Sequence, residues 1–132
     1  MKLYLAAMYA LKDEIRVHAK TLRQAGHEIT SGWLRERTDA DTDLYDVSDR
    51  FCREHAEQDL QNIDEAQGLV LFTVEPIVPT KRGGRHVEFG YALAKRKKLF
   101  IVGPRENIFH FDPAVTVVES VAELMEVLNG RN

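Results

Sequence analysis

At 132 residues, with 44% hydrophobic and 30% charged side chains, the chain has the length and composition of one globular domain with enough apolar surface to form a core, and residues 1–132 are read as a single unit. A net charge of −3 speaks against the basic face that displaces counterions from phosphates, so no nucleic-acid partner is expected. No apolar run approaches the roughly 20 residues that span a bilayer, and Asp13 and Glu14 interrupt the first apolar stretch too early for a signal peptide, which predicts a cytoplasmic protein with no membrane association.

The run from Lys2 to Met8, KLYLAAM, is short and apolar, as suits a buried strand of a parallel sheet. Leu11, Ile15, Ala19 and Leu22 then recur at helical spacing, with Gly26 where a helix would end. His27 to Trp33 reads as a second strand, and RERTDADTD after it as a surface loop. Leu44, Val47, Phe51, Ala56, Leu60, Ile63 and Ala66 mark a long helix leading into GLVLFTV, Gly68 to Val74, which is the most strand-like run of all. The loop EPIVPTKRGG, the helix HVEFGYALAKR, the strand KLFIVG, a loop opening on GPREN, the strand TVVES and the helix VAELMEVLN complete the chain. Strands alternating with helices predict an α/β fold: a flavodoxin-like three-layer sandwich around a five-stranded parallel sheet of order 2-1-3-4-5. Ligands of such sheets bind beyond the carboxyl ends of the strands where the connections reverse, which here puts the loops after Met8 and Val74 beside the site.

Several residues stand out against this frame. Asp59 falls among Ala56, Leu60, Ile63 and Ala66 on the inward arc of its helix, where a carboxylate needs either a charged partner or a function. Glu88 follows Gly83 and Gly84 and is expected in the first turn of its helix, where the dipole favours an anion. Lys81, Arg82, Arg85 and His86 form a basic group that reads either as a solvated charge run or as a phosphate subsite. GGRH lacks both the Lys-Ser/Thr of a P-loop and the spacing of a dinucleotide fingerprint, so no cofactor is expected. Tyr4 sits within an apolar strand, and Trp33 ends the second strand near the same rim, available to stack on a base. The five histidines are scattered, without ligand spacing, so no metal is expected. Cys52, the single cysteine, reads as a core or half-buried residue.

Taken together, KLYLAAM, EQDLQNIDEAQGLVLF and GGRHVEFGYALAKRKKLFIVGP resemble the nucleoside 2-deoxyribosyltransferase family over most of the chain, most specifically in the Glu-Phe-Gly-Tyr-Ala-Leu-Ala run. The resemblance implies that Glu88 attacks the anomeric carbon of a 2′-deoxynucleoside, that Tyr4 orients it, and that Asp59 exchanges a proton with the base or holds the sugar. Gly83, Gly84, Arg85, His86, Trp33 and Asn107 become candidate substrate-binding residues. Thr80, Lys81 and Arg82 stand where the family commonly carries an acidic residue that reads the base, so base preference is not implied. Ala6 to Tyr9 also lacks the Gly-Ser-Ile-Arg-Gly-Gly pattern of the related deoxynucleoside monophosphate hydrolases, yet the basic residues near Glu88 keep such a hydrolase as the alternative. A nucleotide-binding module without turnover is the third reading. The expected partners are a deoxynucleoside or deoxynucleotide, a free base and a second copy of the chain. Ile108, Phe109 and Phe111 of the loop Gly103 to Phe111 are candidates for that homo-oligomeric contact, with Asn107 and His110 reaching toward a ligand, unless the aromatics fold back over the sheet.

Overall fold

Leu3, Tyr4, Leu5 and Ala6 have no exposed surface, as a strand covered on both faces requires. They belong to β1 (Lys2–Ala6), the second strand of the sheet in the computed structural model, which describes residues 1–35, 47–80 and 82–130. The other elements are α1 (Lys12–Gln24), β2 (Glu28–Ile29), α2 (Asp49–Glu65), β3 (Gly68–Phe72), α3 (Gly84–Ala94), β4 (Lys98–Val102), β5 (Val115–Val118) and α4 (Val121–Leu128), with 3-10 turns at Tyr9–Leu11, Gly32–Arg35 and Ile108–Phe111. All strand pairs are parallel and the order is β2-β1-β3-β4-β5, the flavodoxin-like arrangement predicted from the alternation. Leu69 pairs with Tyr4 on one side and with Leu99 on the other, so β3 runs through the middle of the core and all five of its residues are buried. On one side of the sheet α2 packs against α3, while α1 and α4 line a common cleft beside the ends of β3 and β4. Parallel strands need such crossovers because consecutive strands cannot be joined by a tight turn.

Helix ends follow local chemistry. Gly26, at φ 96°, closes α1: its N–H donates to the Arg23 carbonyl and that of His27 to the Leu22 carbonyl, the paired bonds of a Schellman cap. Ser48 caps α2 by accepting the Phe51 N–H at 3.0 Å. At Gly103, φ 120°, an added Cβ would stand 2.5 Å from Thr73 Oγ1, so only glycine lets β4 leave the sheet against β3.

Two expectations are corrected. β2 ends at Ile29 instead of running to Trp33, because side chains replace its ladder: the Leu5 N–H donates to Ser31 Oγ and the Trp33 indole donates to the Leu5 carbonyl, each at 2.7 Å. With the edge of β1 satisfied in this way, Gly32–Arg35 coils into a 3-10 turn and Trp33 is set in that turn. α3 starts two residues before His86, at Gly84, so Glu88 lies in its second turn and not its first. Nearly all of the expected loop RERTDADTD, together with Leu44 and Lys81, lies outside the described residues.

Candidate active site

The carboxyl end of β1, the 3-10 turns after β1 and β2, the middle of α2 and the start of α3 surround a cavity of about 340 Å³. That size suits a small-molecule site, and the position is the one where the connections reverse. Tyr9 and Trp33 form one aromatic wall, their ring centroids 6.0 Å apart. Asp59 and Leu60 of α2 and Glu88 of α3 also line it, together with Arg82, Gly84 and Val87.

Glu88 is half-buried, and Tyr4 reaches it from the buried stretch of β1, donating its hydroxyl hydrogen to Oε2. A strand residue and a helix residue 84 positions apart thus meet because β1 and β3 are neighbours and α3 starts from the loop after β3. A phenol held in the core fixes the carboxylate's orientation. Glu88 lies beyond the first turn of α3, where the helix dipole mainly acts. Asp59 is half-buried and lines the cavity. The entry to α3 is a tight left-handed bend, with Arg82 at φ 70° and Gly83 at φ 76°. A non-glycine residue held in that region costs on the order of 1 kcal/mol or more, strain of a kind that gathers at binding sites.

The remaining candidates divide. Trp33, Gly84 and Arg85 line the cavity with Glu88 and Asp59, whereas Gly83, His86 and Asn107 do not. Gly83 caps the helix. Arg85 turns its guanidinium to Glu106, 2.8 Å away, and only 3% of its side chain is exposed. His86 Nε2 stands 3.7 Å from the same carboxylate, and Asn107 Nδ2 lies 3.4 Å from His86 Nδ1 while its Oδ1 accepts the Phe109 N–H. His110, expected to reach outward, is buried: its Nδ1 accepts the Glu106 N–H at 2.9 Å and its ring meets those of His86 and Phe89. Burial, then the charge of Arg85, holds the His86 pKa below its ordinary value against the opposing pull of Glu106. Burial, followed by the neighbouring His86, does the same to His110. Both rings are therefore disposed to stay neutral. Residues the sequence did not single out include Tyr9, whose hydroxyl accepts a hydrogen bond from the largely buried Lys12 at 2.8 Å, and Glu106. Tyr9 had one signal, an aromatic just past the carboxyl end of the first strand.

Among solved structures, the chain is similar to the CMP N-glycosidase BcmB of Clostridium botulinum, with 19% identity, 98% of each chain covered and a TM-score of 0.54. The likeness is one of fold. No protein-family model and no curated protein matches the sequence. Among the described residues, no His, Cys, Asp or Glu group is arranged to hold a metal ion, and no helix is long and apolar enough to cross a membrane.

Proposed function

We propose that the protein breaks and remakes the N-glycosidic bond of a 2′-deoxynucleoside as a nucleoside 2-deoxyribosyltransferase. The observation that carries this reading is the Tyr4–Glu88 hydrogen bond beside a cavity that Glu88 and Asp59 both line. A Glu88 oxygen attacks the anomeric carbon as the carbon–nitrogen bond to the base breaks; the departing nitrogen keeps the bonding electrons, and Asp59 supplies the proton the base takes up. A second base then attacks the same carbon from the vacated face and gives up a proton to Asp59. Glu88 leaves as a carboxylate, and two inversions restore the starting configuration. The Tyr9–Trp33 wall offers aromatic surface against which a planar base can pack.

Hydrolysis of a deoxynucleoside 5′-monophosphate, with water as the acceptor, is a second reading. It is favoured by Arg82 on the cavity rim and by the fold shared with a CMP N-glycosidase. Incubating the common 2′-deoxynucleosides and their 5′-monophosphates with a second base separates the two. Transfer yields an exchanged nucleoside, whereas hydrolysis yields free base and sugar or sugar phosphate. No change in any of these substrates would reject both and leave a binding module.

A further inference from the structure

Arg85 and Glu88 are three residues apart on α3 and line the same cavity, so their side chains project from neighbouring positions on one helical face. Opposite charges so placed ordinarily pair, yet the ion pair that Arg85 makes is with Glu106, 2.8 Å away on the loop after β4. That arrangement is a poor source of stability. Both partners are largely withdrawn from water, and Arg85 Nε, Glu106 Oε2 and His110 Nε2 are buried with no hydrogen-bond partner among the described residues. Glu106 is itself fixed on the backbone side by the bond from its N–H to the buried His110 ring, and His86 stands on its other flank. The loop therefore presents a carboxylate, rigidly placed, to a guanidinium that has a second carboxylate within reach one helical turn along.

We propose that Glu106 is a positioning residue for Glu88: by holding the Arg85 guanidinium, it keeps that fork from clamping the carboxylate that attacks the sugar. The inference rests on the reading of Glu88 as nucleophile. Tyr4 donates its hydroxyl hydrogen to Oε2, which orients the group. A guanidinium would engage both oxygens at once, and the attacking lone pair would have to be pulled out of a charge-assisted bidentate contact before the new bond forms.

The test is a set of variants followed by structure and by turnover of the 2′-deoxynucleosides and their 5′-monophosphates. In a crystal structure of Glu106→Gln, the Arg85 guanidinium is expected within about 4 Å of the Glu88 carboxylate, ion-pair distance. The same variant should lose roughly ten- to hundred-fold in kcat with little change in KM, the cost of a misplaced reacting group. Adding Arg85→Gln removes the competing cation, so the double variant should turn over faster than Glu106→Gln alone. Glu106→Asp keeps the charge, serves if the Gln variant does not fold, and should retain more of the rate than Gln does. An Arg85 that stays away from Glu88 in the Gln structure, or a double variant no faster than the single one, overturns the proposal. Glu88→Gln in the same assay keeps the two readings apart: full turnover by that variant removes the nucleophile itself, whatever Arg85 does.

Discussion

Tyr4 carries a hydroxyl from the buried stretch of β1 to a half-buried carboxylate, that of Glu88. Tyr4→Phe keeps the ring and removes the donor. A hydrogen bond to a charged group is worth about 1.5–3 kcal/mol, so kcat should fall roughly ten- to hundred-fold. Steady-state kinetics beside a melting curve decides it, and an unchanged kcat would reduce Tyr4 to packing. Asp59→Asn should lower kcat by roughly 10² to 10⁴ with little effect on melting, as loss of a positioned acid does; the reverse pattern, intact rate and lower stability, would make Asp59 an ion-pair member only. Of the three, Asp59 stands out by its own pattern, an acid on an inward arc, whereas Tyr4 in an apolar strand and Glu88 behind two glycines read alone as core and as ordinary helix-start chemistry; it is the resemblance to the deoxyribosyltransferases that draws them together. Arg85 and His110 could not be read that way. In the sequence they look like solvated loop and helix-start residues, and the partner that joins them is Glu106, 21 positions from Arg85, which pairs with Arg85 and donates its N–H to His110.

At the level of elements, the alternation of strands and helices was enough to order the sheet, since right-handed crossovers leave few other arrangements. The lost part was the end of β2. Thr30 and Trp33 suit a strand, but Ser31 and Trp33 take the hydrogen bonds of β1 with their side chains, a substitution that a strand pattern cannot register. The start of α3 was also misplaced by two residues, because Gly84 and Arg85 read as loop until the left-handed bend at Arg82 and Gly83 is seen to open the helix before them. The contact between that first turn and the loop after β4 has a consequence for pH. His86 and His110 both titrate below their ordinary value in the folded chain, so from about pH 6.5 downward the unfolded chain binds protons that the folded one resists. Stability conferred by the neutral rings is complete above that range and falls as the pH drops through it. Melting temperatures measured between about pH 8 and 5 should decline toward acid, and less steeply in His110→Gln. A slope unaltered by that substitution would show that His110 does not contribute.

For the molecule as a whole, the 3-10 turn after β4 leaves Ile108 78%, Phe109 62% and Phe111 67% exposed, so these side chains do not fold back over the sheet. Three large apolar groups in one short exposed turn are what a subunit contact covers, and a homo-oligomer is the expected state. Light scattering at micromolar concentration should give a mass above that of one 15.1 kDa chain, and Phe109→Ser with Phe111→Ser should lower it; a wild-type protein that is monomeric at that concentration contradicts the expectation. The central claim, that Glu88 forms a bond to the sugar, is most directly tested by intact-mass spectrometry of the protein mixed with a 2′-deoxynucleoside or its 5′-monophosphate and no acceptor base. The wild type should gain the mass of one deoxyribosyl or deoxyribosyl-phosphate group, mapped by peptide digestion to Glu88, and Glu88→Gln should gain none. An adduct on another residue, or a Glu88→Gln protein that turns substrate over as fast as the wild type, would contradict it.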